Sequence, residues 1–206
     1  MDMSLNEEEQ FCHSLEVSLG SLGDIVGEHF VEQCWAHWRL LLQWNQKINL
    51  TSILEPEQGA LLHYRDSIEA IHKLKGTHIV DFGSGAGFPG IPLALALPQK
   101  HFTLVEARRK RASFLRVCKS TLKIKNIEVL NCRAEDMPTK QFDCALTRAT
   151  FSQDAAIEGL FRWLGPCAPL LLFRSSGDEM ENVDIEKYAY EIMGRKRTLE
   201  VWHRKG

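Results

Sequence analysis

Apolar residues in the first part of the chain recur every three or four positions: Phe11, Leu15, Leu19 and Leu22, then Phe30, Cys34, Trp35, Trp38 and Leu41 with Leu42. That spacing predicts amphipathic helices up to about Leu74, interrupted at Gly20, Gly23 and Gly27. Trp35 and Trp38 stand in phase with the apolar stripe, so they read as core rather than as surfaces for stacking bases. From Thr77 the pattern changes to short apolar runs at His78–Phe82, Phe102–Glu106, Ile127–Leu130, Phe142–Thr147 and Pro169–Arg174. Helical intervals are expected between the first four, and over Phe151–Leu164 before the fifth. This alternation predicts an α/β unit, a parallel sheet with helices on both faces. Tyr188, Tyr190 and Ile192 alternate, followed by Leu199 and Val201, which adds a closing hairpin. The expected organisation is an N-terminal helical extension over residues 1–75 and an α/β domain over residues 76–206, forming one compact unit.

Composition narrows the class. With 206 residues, 44% hydrophobic and 25% charged, the chain has a globular composition, and disorder, collagen and coiled coil are excluded. No apolar run reaches the ~18 residues of a membrane-spanning helix. Asp2, Glu7, Glu8 and Glu9 do not fit a secretory start, so a cytoplasmic protein without a membrane partner is expected. The six cysteines show no zinc-ligand spacing and the eight histidines form no H-E-x-x-H; no metal is expected.

The formal net charge of −2 conceals an asymmetry. The first 38 residues hold eight acids and no Lys or Arg, leaving the remaining 168 with a formal +6. Residues 100–148 alone carry twelve basic and five acidic side chains. A polyanionic partner fits such a distribution. In the helix expected after Glu106, Arg109, Arg116, Lys119 and Lys123 share one face, while Phe114, Cys118 and Leu122 fall opposite. Those four cations are the candidate RNA contacts, with Arg195–Arg197 and Arg204–Lys205 as further basic positions.

The candidate chemistry starts at His78-Ile-Val-Asp-Phe-Gly-Ser-Gly-Ala-Gly-Phe-Pro-Gly-Ile-Pro92, a strand running into alternating glycines and then a helix. Gly83, Gly85 and Gly87 allow a ligand to lie against the backbone. Gly85, Gly87 and Gly90 also satisfy G-x-G-x-x-G, which keeps a nicotinamide cofactor in view. Asp81, two residues before Gly83, suits a cationic ligand group better than a pyrophosphate, and S-adenosylmethionine carries an ammonium and a sulfonium. Glu106 ends the second strand, where acids accept hydrogen bonds from ribose hydroxyls. Ala134 and Glu135 are placed for an adenine contact and Arg148 for a charged wall. No Asn/Asp-Pro-Pro-aromatic run follows the fourth strand, as amine methylation commonly uses. Cys167 precedes the fifth strand, so it is expected at the wrong end of the sheet for nucleophilic chemistry. A nucleophile with a free lone pair, such as guanine N7, fits what is left. A small-molecule methyltransferase, a nicotinamide oxidoreductase and a catalytically silent RNA-binding module are the alternatives.

These residues resemble the RsmG (GidB) family of bacterial small-subunit ribosomal RNA guanine-N7 methyltransferases. The resemblance is carried by Trp44-Asn-Gln-Lys-Ile-Asn-Leu-Thr51, His63-Tyr-Arg-Asp-Ser67, Asp81 to Pro92, Lys110-Arg111 with Phe114-Leu115, Arg133-Ala-Glu135 and Arg148-Ala149, over about residues 5–175. It implies a Rossmann-like class I fold and methyl transfer from S-adenosylmethionine to N7 of one guanine in the decoding-region loop of 16S rRNA, with the small ribosomal subunit as partner; a monomer is expected. It also implies cofactor contacts at Gly83, Phe88, Ala134, Glu135 and Arg148, with Glu106 and Ala107 on the ribose side. Asn45, Lys47, Asn49, His63 and Asp66 match motif positions near the active site; Asn49, His63, Asp66 and Arg148 are the catalytic candidates. Two departures stand out: Thr147-Arg-Ala-Thr replaces the more usual Ser-Arg-Ala-Phe, and Phe173-Arg-Ser-Ser-Gly177 stands where Lys-Gly is common.

Overall fold

The structure is a computed structural model that describes residues 6–138, 140–148, 159–175 and 184–204. The acidic start is explained locally. Asn6 caps α1 (Glu7–Leu19) in a reciprocal capping box with Glu9, and three glutamates occupy the first turn, where the helix dipole favours negative charge. Gly20, at φ 51°, ends the helix. α2 (Phe30–Asn45) buries Phe30, Cys34, Trp35, Trp38 and Leu41, so the two tryptophans pack as the periodicity predicts. α3 (Pro56–Gly59) passes through a π-helical turn, Ala60–Arg65, into α4 (Asp66–Ile68).

Seven strands form one sheet in the order β3-β2-β1-β4-β5-β7-β6. β1 (His78–Phe82), β2 (His101–Val105), β3 (Ile127–Leu130), β4 (Cys144–Arg148) and β5 (Leu170–Ser175) are parallel. β6 (Ile185–Ile192) and β7 (Arg195–Trp202) close the sheet as an antiparallel hairpin, turning at Met193 and Gly194 with φ of 52° and 71°. Positive φ at both positions matches the twist of a two-residue hairpin. α5 (Gly90–Ala96) links β1 to β2, and α6 (Arg109–Thr121) links β2 to β3. Chain order reverses between β1 and β4, and ligands of open α/β sheets lie at the carboxyl ends of such a switch point.

Strand alternation builds two cores. Ile79, Phe102, Leu104, Leu146 and Leu171 face the N-terminal helices, α5 and α6. Val80, Phe82, Ala145, Leu170 and Trp202 face Leu160, Phe161 and Trp163. Phe11, Trp38 and Tyr64 of the N-terminal helices belong to the same buried cluster as Ile79 and Leu104 of the sheet.

Three local expectations need correction. Between β3 and β4 the described residues form only a 3-10 turn, Ala134–Asp136, rather than a helix; over residues 131–138 Met137 alone is buried and Pro138 follows, so this stretch has no apolar face to pack. β4 starts at Cys144 rather than Phe142, because the Asp143 carboxylate accepts from the Thr77 and His78 amides (2.8 and 2.9 Å) and Phe142 makes only an isolated bridge to Leu164. Of the helix expected over Phe151–Leu164, the described part is a 3-10 turn, Gly159–Trp163; residues 151–158 lie outside the described residues, as do Ala149, Lys205 and the Ser176–Gly177 part of the departing loop. No described helix is long and apolar enough to cross a membrane.

Candidate active site

The glycine loop folds back on the end of β2. Gly83 and Ser84 both donate to the Val105 carbonyl (2.8 and 3.1 Å), and Gly83, Gly85 and Gly87 adopt φ of 72°, 56° and 93°. Only glycine reaches these left-handed conformations without strain. The Glu106 carboxylate then braces the loop, accepting from Gly85 N–H (2.9 Å) at Oε2 and from Arg108 N–H (2.7 Å) at Oε1. Each oxygen keeps a second lone pair for a ligand hydroxyl. Between loop, Glu106 and the turn after β3 lies a cleft of about 380 Å³ lined by Gly83, Glu106, Ala107, Arg108, Arg111, Arg133, Ala134 and Glu135.

Asp81 is fully buried behind the loop. Its Oδ2 accepts from Gly90 N–H (3.1 Å), and its Oδ1 has no hydrogen-bond partner among the described residues. A side chain on Gly90 would come within 2.6 Å of that Oδ2, so glycine is required for the contact. Burial pushes the Asp81 carboxyl up to about 7, against the opposing pull of Ser84, the Gly90 amide and Arg148. A buried, half-satisfied carboxylate is costly by itself; it becomes favourable when a cationic group supplies the missing partner.

A second cluster joins the extension to β4. Arg148 donates to Asp66 (Nη1 to Oδ2, 3.3 Å) and to His63 Nδ1 (3.5 Å), and its guanidinium lies 5.0 Å from the Phe88 ring centroid. His63 stacks on Phe88 at 4.5 Å and 13° and meets Thr51 Oγ1 at 2.8 Å. Since Nδ1 accepts from Arg148, Nε2 carries the proton toward Thr51. Burial and the Arg148 charge hold His63 well below the ordinary histidine value, so it is neutral at pH 7. The Tyr190 hydroxyl, on β6, donates to Asp66 Oδ1 (2.9 Å).

The sequence-selected residues therefore divide. Gly83, Glu106, Ala107, Ala134 and Glu135 line the cleft, with Gly85 and Gly87 in the loop above Asp81. Phe88 and Arg148 sit in the aromatic and ionic cluster with His63 and Asp66, not among the cleft-lining residues. Asn45 is a turn brace: its side chain accepts from Leu50 and Thr51 N–H and donates to the Thr51 carbonyl, which places Thr51 beside His63. Asn49 is exposed and apart from that cluster; its carbonyl accepts from Arg111 (3.1 Å). Arg109, Arg116 and Lys119 are exposed on α6, and Lys123 lies just past the helix end. Cys167 is exposed in the turn before β5, at the opposite end of the sheet. Arg108 and Arg111, expected from the sequence as part of the basic start of α6, and Arg133, in a motif that carries the resemblance, line the cleft instead, whereas nothing local in the sequence ties Tyr190 to Asp66, 124 positions away.

Gly85 provides a direct test of the loop. A Cβ there would meet nothing closer than 3.7 Å, so Gly85→Val is expected to fold with a penalty of about 1–2 kcal/mol for the left-handed conformation and to lose cofactor binding by calorimetry; retained affinity would remove the loop from the site.

The family model described as rRNA small subunit methyltransferase G matches residues 31–200. The chain belongs to this family. Its membership separates the methyltransferase reading from the nicotinamide one. Among named family relatives, Ribosomal RNA small subunit methyltransferase G of Shigella flexneri is 38% identical over 138 residues, covering 66% of this chain and 67% of that one. The protein of the same name from Caldanaerobacter subterraneus is 39% identical over 146 residues, covering 67% and 61%. Two solved structures share the fold: a SAM dependent methyltransferase from Aquifex aeolicus (TM-score 0.54, 15% identity, 68% of this chain and 90% of that one) and the putative methyltransferase yhhF from Escherichia coli (0.51, 16%, 68% and 88%). The sheet is thus that of a class I, Rossmann-like methyltransferase.

Proposed function

We propose that the chain transfers the methyl group of S-adenosylmethionine to N7 of a guanine in the decoding-region loop of 16S rRNA, within the small ribosomal subunit. The observation that carries this reading is the unpartnered, buried Oδ1 of Asp81 beside a glycine loop at the switch point of a methyltransferase sheet. Asp81 would hold the cationic amino-acid end of the cofactor, Glu106 the ribose hydroxyls, and Ala134 with Glu135 the adenine edge; Gly83, Gly85, Gly87, Phe88 and Ala107 would complete the contact. When bound, the cofactor supplies an electrophilic methyl on a sulfonium. N7 of guanine offers a lone pair and carries no proton, so the protein needs no general base; its work is alignment and exclusion of water. His63, Asp66 and Arg148, held by Thr51 and Tyr190, would form the wall facing the base, with Asn49 at the rim beside Arg111. Arg109, Arg116, Lys119 and Lys123 would contact RNA phosphates.

The test is transfer of labelled methyl from S-adenosylmethionine to small ribosomal subunits lacking the modification. Label at one guanine N7, located by strand scission at the methylated base, is the expected result. No uptake, or label on another atom, would overturn the reading.

A further inference from the structure

Two clefts away from the cofactor site meet at Lys125. One, of about 450 Å³, is bounded by Arg116, Lys119, Lys123 and Lys125. The other, of about 340 Å³, runs from Lys125 past His101 to Lys140 at the amino ends of β2 and β3. β2 itself measures the distance to the reaction. His101 opens the strand and lines this groove, Val105 closes it and lines the cofactor cleft, and four steps of ~3.3 Å separate them by about 13 Å. α6 spans the same interval, with Arg111 at the cleft and Arg116 and Lys119 at the groove. The groove is therefore a surface separate from the catalytic end, joined to it by one helix.

Charge, rigidity and backbone conformation agree on what it holds. Arg116, Lys119, Lys123 and Lys125 are all exposed, and none forms an ion pair among the described residues. The one acidic lining residue, Glu128, is 3.5 Å from Lys140 and so is neutralised within the groove. The floor is fixed by Asn126, whose amide donates to the Ala94, Leu97 and Lys100 carbonyls. Among the described lining residues no Phe, Tyr or Trp ring is exposed for base stacking, since Phe102 is buried, and the His78 and His101 rings already stack on each other. Cations without stacking surfaces read a phosphate backbone and the shape of a duplex, whereas single strands are held by stacked bases.

Lys123 adds an independent observation. α6 ends in a Schellman motif, with Ile124 N–H bonded to Lys119 O and Lys123 N–H to Ser120 O. Lys123 occupies the left-handed position at φ 52°, the place where glycine is usual because it is unstrained there. A lysine in this position adds strain to the turn and places its charge on the first cleft, two residues from Lys125 where the clefts meet, a pattern that points from an outlier to function.

We propose that this groove docks the paired stem flanking the methylated loop, gripping its phosphates so that the loop is delivered to the cofactor cleft along α6. The inference rests on the rRNA methyltransferase reading and adds where, and in what form, the RNA is held. It is tested by fluorescence anisotropy with two synthetic stem–loops carrying the same loop, one with a short stem and one extended by a helical turn. The extension is expected to tighten binding about tenfold at low salt and to steepen the salt dependence by about 0.7–0.9 per phosphate gained. Lys123→Glu with Lys125→Glu removes that gain, leaving affinity for S-adenosylmethionine, by calorimetry, unchanged. Lys123→Gly keeps or raises the melting temperature, since it relieves the left-handed backbone, yet still weakens the long RNA. Equal affinity of the wild type for both RNAs, or a charge-reversed variant that keeps the gain, overturns the proposal. If the charge-reversed variant binds both RNAs normally and loses only transfer to intact subunits, a protein of the subunit occupies the groove and the RNA assignment falls. Absence of methyl transfer by the wild type to small subunits would instead remove the underlying reading.

Discussion

Asp81→Asn is expected to lower affinity for S-adenosylmethionine by roughly a hundredfold or more while leaving the protein at least as stable as the wild type. The two effects separate because the carboxylate is poorly placed in the free protein. It is fully buried, has one amide donor at Oδ2 and, among the described residues, no partner at Oδ1, and its pKa is raised to about 7 by burial. Relative to its unfolded value near 4, that shift is a penalty of roughly 4 kcal/mol above pH 7. Asparagine keeps an oxygen for Gly90 and removes the charge; its own unpaired N–H returns about 1–3 kcal/mol of the gain. The sign in pH follows. A carboxyl with a raised folded pKa makes the wild type lose stability as pH rises from about 4 to about 7, with no further change above, and the variant should lack this slope.

Binding reverses the preference. A cationic ligand stabilises the carboxylate, so below pH 7 Asp81 must release a proton on binding; affinity climbs with pH up to about 7 and then levels. Calorimetry at pH 6 in two buffers of different ionisation enthalpy would show the released proton. Unaltered affinity in the Asn variant, or no proton release at pH 6, would dissociate Asp81 from the cofactor.

The placement of the loop residues was legible in the sequence, but the electrostatic state of Asp81 was not. Asp81, the three left-handed glycines and Glu106 lie within 26 positions, and their spacing against one strand and one turn is enough to place them at the same sheet end. The dual use of Glu106, bracing Gly85 and Arg108, depends on side-chain geometry that no spacing encodes. The helical extension was visible from its period, whereas the π-helical turn at Ala60–Arg65, which carries His63, has no apolar signature distinct from an α-helix. The helix expected between β3 and β4 has no packing to support it: residues 131–138 hold one buried apolar side chain, Met137. Charge was legible in its placement. The acids that mask the basic remainder include the three glutamates at the amino end of α1, where they serve the helix.

Arg148→Ala is expected to destabilise the fold by about 3–5 kcal/mol, because it strands a buried carboxylate. Asp66 is only 2% exposed, and besides Arg148 its described partner is the Tyr190 hydroxyl, which cannot balance a full charge. Loss of activity in that variant would therefore say nothing about chemistry. The informative protein is Asp66→Asn with Arg148→Met. The asparagine oxygen still accepts from Tyr190, methionine refills the space over Phe88, and replacing a buried pair by groups of similar volume is often neutral in stability. Its melting temperature should return close to the wild-type value. If Arg148 only holds the extension against β4, this variant should methylate small subunits normally. If the guanidinium faces the target base, as proposed, single-turnover methyl transfer falls by about a hundredfold with cofactor affinity little changed, the scale expected for removing one charged group that acts in the transition state. A stable double variant of full activity would confine the Asp66–Arg148 pair to architecture.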